Sequence, residues 1–390
     1  MTKPWPDIPL AEIAKPISRS VEVIPGQSYR TIGVKWWGEG AYERQTIDGS
    51  RTAAKTLSLV RQGDLIINKI WVRHGSTAIA GAEVGGCAAS GEFPTFTLDE
   101  SRVVPKWLHW QTKTRGFWAK CDALSQGTSG KNRIKPELFL TIRVPLPPLA
   151  EQRRVVARIE ELAAQIHEAR TLRLQAAEEA EALVSSRSAE LFREASERGT
   201  ASLESIAVLE RGKFSHRPRN EPRFFGGAHP WIQIGEIESA RKFIRRWTET
   251  LNDDGLAISK KFPKSTVLIS IAATIGSVGI LDFDCCVPDS IVGVTPREGT
   301  DSEFLYHFLG FLRGHLEEIA PQSAQKNINL RILSPLPVPK LPLPEQRRIV
   351  SELDALQAEV DALKRLQAET AAELDALLPA LLDRAFKGEL

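Results

Sequence analysis

Two long stretches of the chain carry apolar residues at alternating steps of four and three. In the first they are Val155, Ile159, Leu162 and Ile166; in the second, Ile349, Leu353, Leu356, Val360 and Leu363. This near-heptad spacing is the stripe of a helix that packs against another helix. The two stretches are copies related by a constant shift of 194 residues (Glu151 to Glu345), which also pairs Leu183 with Leu377 and Phe192 with Phe386. Each is entered through a Pro/Leu-rich lead, PLPPLAEQRR at Pro145–Arg154 and PKLPLPEQRR at Pro339–Arg348. Prolines open a helix where no N–H donor is needed, and Glu151 and Glu345 then fall in the favourable first turn. Helices of roughly 45 residues, about 70 Å long, are predicted, and Pro379 is expected to kink the second.

The intervening blocks read as β-rich and correspond more loosely. Thr31-Ile32-Gly33 lines up with Gln233-Ile234-Gly235, Gly63–Ile67 with Ser265–Ile269, and Gly75-Ser76 with Gly276-Ser277. Each then has a helix-like stretch, Trp107–Leu124 or Glu303–Ile319. The expected fold class is α+β, with two β-rich domains (residues 1–144 and 198–340) alternating with two long helices (145–197 and 341–390) that pair as an antiparallel coiled coil.

Composition alters this picture little, whereas charge does more. At 390 residues, 42% hydrophobic and 26% charged, the chain is an ordinary globular one. No apolar run reaches the ~18 residues of a membrane span, and Met1–Leu10 has no signal-peptide core, so a cytoplasmic chain is expected. Cys87, Cys121, Cys285 and Cys286 show neither a disulfide framework nor a zinc pattern and read as packing; no metal site is expected. The net charge of +2 conceals alternation: residues 1–144 hold 20 Lys+Arg against 13 Asp+Glu, and 198–247 hold 10 against 5, while both helical stretches are acidic. Basic blocks attract polyanions.

A Pro/Leu lead into E-Q-R-R and a long helix, present twice and each time preceded by a basic β-rich block, resembles the specificity subunit of type I restriction-modification systems. The Gln325-Lys326-Asn327-Ile328-Asn329 approach and the Leu268–Gly279 strand run agree with it. The resemblance implies that each block is a target recognition domain reading one half of a bipartite site in double-stranded DNA. The helices would set the unread spacer and dock two methyltransferase subunits and, through them, two restriction/translocase subunits. S-adenosylmethionine, ATP and Mg²⁺ would act in those partners, in a bacterial or archaeal cytoplasm, and this chain would bind no cofactor. The competing reading is a coiled-coil scaffold that assembles partners without sequence-specific DNA binding.

Base reading needs forked side chains, Arg or Lys for guanine and Asn or Gln for adenine. The richest stretch is Arg211–Asn220, with Lys213, Ser215, His216, Arg217 and Arg219; it is either a base-contacting loop or a solvated one touching phosphates only. Gln233, read inside an apolar strand, is either a core amide or an edge residue facing DNA. Lys242, Arg245 and Arg246 suit phosphate. In the first block the candidates are Lys69, Arg73, His74 and Ser76, with Lys131, Asn132 and Arg133, and Lys326 and Asn327 in the second, beside the helix entries. Trp36 and Trp37 are adjacent, and in a strand both cannot face the core, so one contacts a groove or partner, or else lids the domain. Both helices also carry surplus apolar residues (Val156, Leu172, Leu174 and Val184; Leu366, Leu378 and Leu382), which are covered either by a partner or by the chain's own domains, the partner being the preferred reading. An N/D-P-P-Y/F methylation motif, a complete phosphate-binding G-x-x-x-x-G-K-S/T and a convincing nuclease cluster are all missing. Catalysis is expected elsewhere.

Overall fold

The computed structural model describes residues 5–126, 132–216, 220–320 and 327–390. The chain forms two compact units: residues 1–173 with 368–390, and residues 174–367. The two long helices, Leu149–Glu197 and Leu343–Phe386, each contribute one end to either unit. The second continues through Pro379.

In unit 1 a short antiparallel pair, Asp7–Pro9 with Arg143–Pro145, leads into the first long helix. A four-stranded sheet runs in the order Ala14–Ile17, Thr95–Leu98, Leu65–Ile67, Thr77–Ile79, and a five-stranded sheet includes Ser28–Val34 beside Ala41–Asp48. Helices Pro105–Gln111 and Arg115–Ala123 cover the first sheet. Unit 2 repeats the plan. Thr200–Ser202 pairs with Pro337–Pro339, and a sheet runs Ala207–Arg211, Ile291–Pro296, Val267–Ser270, Val278–Leu281, with Phe243–Ile244 added at the edge. Helices Ser302–Phe311 and Arg313–Ile319 cover it. In both units the predicted long helix-like stretch is two helices: the Thr114 hydroxyl caps the second one in unit 1, and the break in unit 2 falls at Leu312.

Leu65–Ile67 and Val267–Ser270 take equivalent places in their sheets, as the alignment of these segments anticipates. The correspondence of Thr31–Gly33 with Gln233–Gly235 does not hold, because the former lies in a strand and the latter opens the helix Ile234–Ser239. The strand before it ends at Trp231. Gln233 and Glu236 form a reciprocal capping box that stops the extended chain there.

Within each unit the two helix segments run antiparallel. Arg170 meets Asp375 at 2.9 Å in unit 1; in unit 2 Arg187 meets Glu352, Glu181 meets Lys364, and Arg198 meets Glu345. Val155, Ile159, Ile349, Leu353 and Val360 are buried, and Leu162, Ile166, Leu356 and Leu363 half-buried. Leu183 and Leu377 are 56% and 49% exposed and lie beside the seam, a correction to their expected place in it. A strict alternation of fours and threes carried on from Ile166 and Val360 arrives at Leu183 and Leu377, but Val184 and Leu378, one residue further on, are the half-buried ones, because a straight helix of 3.6 residues per turn drifts from a 3.5-residue count. Val156 and Leu382 are buried in unit 1's own core, so these two are not surplus.

The adjacent cysteines show how strand alternation partitions the interior. Cys285 faces one hydrophobic cluster and Cys286 another, both are fully buried, and all four cysteines are unpaired thiols in the core.

Candidate nucleic-acid interface

Each β-rich block is held to its helix by a glutamine. Gln152 is fully buried; its Oε1 accepts from Val104 N at 2.8 Å, and its Nε2 donates to Arg102 O at 2.9 Å and Pro147 O at 2.7 Å. Gln346 repeats this in unit 2: Oε1 accepts from Asp301 N at 2.8 Å, and Nε2 donates to Gly299 O at 2.9 Å and Leu341 O at 2.8 Å. In both copies the amide joins the start of a covering helix to the entry of the long helix. Three satisfied bonds make a buried amide a rigid bracket, since each partner loses a bond if it leaves.

Unit 2 presents a groove of about 1200 Å³. Arg211, Asn220, Gln233, Glu249, Ser290 and Asn327 give it polar walls, and Trp231 and Phe225 give it an apolar one. Arg211 ends the strand Ala207–Arg211 and its Nε donates to Asp289 O. Gly212 follows, where the Pro288 carbonyl approaches so closely that a Cβ would lie 2.2 Å from its oxygen. Asn327 forms a bridge with Ala272, beside Ala273, whose φ of +59° is left-handed for a residue with a side chain. Gln233 lines this groove but its amide is engaged. It caps the helix and donates through Nε2 to Glu249 Oε2 at 2.8 Å; it is exposed, so it is not a core amide, and it stands at a helix start and not at a strand edge. Glu249 and Asn220 were not singled out in the sequence, where an acid is simply the wrong sign for DNA and a lone asparagine carries no signal.

Several expected contacts are otherwise committed. The Lys242 ammonium lies between Glu303 and Asp354, 2.5 Å from the latter, and its side chain is 16% exposed, which corrects the phosphate assignment. Burial opposes charge on Asp354, but hydrogen bonds from Lys242 and His307 outweigh it and hold the carboxyl below its ordinary value. Ser76 is buried and donates to Val34 O at 2.8 Å, so it belongs to the core, another correction. Arg133 pairs with Glu92 and Arg245 with Asp282. Lys213, Ser215 and Arg246 are exposed, His216 packs on Phe224, and Lys69, Arg73 and Asn132 are half-buried. Lys131, Arg217, Arg219 and Lys326 lie outside the described residues.

In unit 1 Trp36 and Trp37 are on a 3₁₀ turn, Trp36–Gly38, and not in a strand. Both are exposed, at 44% and 52%. Trp36 packs at 4.9 Å from Trp71 and 5.6 Å from His74, and Trp37 at 5.4 Å from Trp118. Gly38 N donates to Gly75 O at 2.8 Å, joining the two turns that hold the rings. Gly75 has φ +74°, and a Cβ there would lie 2.8 Å from Trp118, so both conformation and space require glycine. The result is a surface cluster in which Trp36 and Trp37 are exposed and Trp71, Trp118 and His74 half-buried. Trp71 and Trp118 were not anticipated because the segments that bring Trp71 to Trp36 and Trp118 to Trp37 are distant in sequence.

Among the described residues no group of three or more His, Cys, Asp or Glu side chains is placed to hold a metal, and no helix is long and apolar enough to cross a membrane. Residues 201–371 match the type I restriction modification DNA specificity domain. The chain is similar to the type I restriction enzyme EcoKI specificity subunit of Escherichia coli K12, 22% identical over 72% of this chain and 64% of that one. It also resembles the EcoDI specificity subunit of Escherichia coli, 26% identical over 40% of this chain and 36% of that one. It thus spans less than two thirds of the length of these relatives. The HsdS subunit from Thermoanaerobacter tengcongensis superposes with a TM-score of 0.66 at 25% identity, covering 100% of this chain and 98% of that one. A chain solved in a study of complex assembly and conformational transition of the type I R-M system shares the fold, with a TM-score of 0.75 at 24% identity over 100% and 99% of the two chains. Taken with the duplicated bracket and sheet plan, these likenesses make the chain similar, along its whole length in fold and over residues 201–371 in sequence, to type I restriction-modification specificity subunits.

Proposed function

We propose that residues 1–144 and 198–340 are target recognition domains, each reading one half of a bipartite site in duplex DNA, and that the helices 145–197 and 341–390 set the unread spacer. The observation that carries this reading is the recurrence of one frame, strand pair, sheet order and glutamine bracket, under two surfaces of different chemistry. A frame used twice with divergent surfaces suits a subunit that must read two different half-sites. In unit 2 the reading surface is the groove of Arg211, Asn220, Glu249 and Asn327, where an arginine fork suits guanine, an asparagine adenine and a carboxylate the cytosine amine.

Methylation and cleavage belong to partner subunits, two methyltransferases and two restriction/translocase chains, which use S-adenosylmethionine, ATP and Mg²⁺. Exposed leucines on the helices, Leu172 and Leu377 in unit 1 and Leu174 and Leu183 in unit 2, are the docking points. Duplex binding by the full chain tests the reading against a scaffold that ignores DNA. Release of roughly six to ten phosphate-bound counterions predicts a loss of about 10³–10⁵ in affinity between 50 and 200 mM salt. No measurable duplex binding at low salt favours the scaffold.

A further inference from the structure

A second groove, of about 710 Å³, lies wholly within unit 1 between helix Arg115–Ala123 and the C-terminal end of the second long helix. Trp37, Phe117 and Trp118 wall one side, and Leu382 and Phe386 the other. Gln111 lines it from the last position of helix Pro105–Gln111. That residue is only 6% exposed, and its Oε1 is buried with no hydrogen-bond partner. A buried acceptor left unmatched costs free energy until a donor arrives.

Two of the four cations in this groove lack a carboxylate partner, although the Lys113 ammonium lies 4.7 Å from the centre of the Trp110 ring. Neither Lys113 nor Arg115 forms an ion pair among the described residues, whereas Lys387 pairs with Asp383 and Lys120 donates to Arg143 O. Burial pushes the Lys113 ammonium below its ordinary value, only partly offset by Glu39. Arg115 opens a nine-residue helix, where the macrodipole favours an anion and opposes a cation. An occupant with one N–H donor in the plane of an apolar ring and an anionic group a short distance away meets all of these conditions. An acidic peptide matches the cations but presents a row of backbone N–H groups, whereas Gln111 Oε1 is the one buried side-chain acceptor without a partner among the described residues that line the groove.

We infer that this groove binds an adenine nucleotide, its exocyclic amine donating to Gln111 Oε1, its ring against Trp37 and Trp118, and its phosphate held by Lys113 and Arg115. The nucleotide is either free or displaced from a DNA strand. The inference does not depend on residues 1–144 reading a half-site.

Calorimetric titration of the full chain with AMP, adenosine, IMP and a short oligo-dA strand tests it. AMP or oligo-dA binds saturably, and Gln111→Leu weakens that binding at least tenfold without lowering Tm, because the substitution removes an orphan rather than a bond. If AMP binds, IMP, which has a carbonyl in place of the amine, binds at least tenfold more weakly, and Lys113→Met with Arg115→Met erases the advantage of AMP over adenosine. AMP binding identifies a free nucleotide as the occupant; binding by oligo-dA alone identifies a nucleotide within DNA. Should Gln111→Leu fail to fold, the phosphate dependence in Lys113→Met decides. No binding by either ligand, binding indifferent to Gln111→Leu, or displacement of the bound ligand by an acidic peptide alone overturns the inference.

Discussion

The two units share a skeleton and differ on their surfaces. Both hang a covering helix on a buried glutamine, and both run the same four strands in the same order. Yet unit 1 displays Trp36, Trp37, Trp71, Trp118 and His74, whereas the unit 2 groove presents Arg211, Asn220, Glu249 and Asn327. What is repeated is buried and fully hydrogen-bonded, and what has diverged is exposed. A substitution in the bracket leaves three backbone groups unmatched, while one on a groove wall leaves the core intact, so the two surfaces can change independently while the frame stays.

The comparison can be broken at several depths. Phe192 and Phe386 are repeat equivalents, but Phe192 is 1% exposed and packs on Phe304, Phe308 and Phe311, while Phe386 is half-buried against Trp107. Phe192→Ala is expected to cost about 4 kcal/mol and Phe386→Ala about half that; equal losses in urea melts contradict the packing difference. Gln152→Leu and Gln346→Leu are each expected to cost about 3 kcal/mol, because buried donors and carbonyls lose their partners. If one substitution is silent, the brackets are not equivalent.

Acid separates the units next. His109 in unit 1 is half-buried, and desolvation, with Lys113 and Lys106 adding repulsion, lowers its pKa to about 4. A depressed histidine stabilises the fold fully above its unfolded pKa, and the contribution is lost as pH falls from about 6.5 through about 4, some 2–3 kcal/mol in all. His109→Gln therefore flattens the loss of unit 1 stability over that window. In unit 2 His307 is also lowered by burial, but Asp354 opposes the shift, so a weaker acid dependence is expected there. The smallest effect is that of Leu183→Ser or Leu377→Ser, within about 0.5 kcal/mol as for other exposed positions, although methyltransferase co-purification falls.

The parts of the fold that the sequence revealed are those governed by local periodicity. The long helices follow from steps of four and three, and the central strands from short apolar runs bounded by glycine. The register error at Leu183 and Leu377 arose because matching the two copies preserves the shift without saying which residue meets the seam. Gln152 and Gln346 were legible in principle: each sits three residues before Val155 or Ile349, on the apolar stripe, where an amide must be buried. The fate of the cations was not legible. Lys242 is held by Asp354, 112 positions away, and Arg133 by Glu92, 41 away, and no spacing rule announces such pairs. Gln233 was misread because the capping box with Glu236 also fits an extended apolar run until the chain turns.

The most direct test of the account is methylation mapping of DNA in cells expressing the chain with a type I methyltransferase encoded beside it, compared with cells carrying a chain whose residues 1–144 come from a similar specificity subunit. The account predicts a split motif with a fixed gap in the first case, and in the second a motif changed in one half alone, with gap and other half retained. A motif independent of this chain, or an exchange that alters both halves at once, contradicts it.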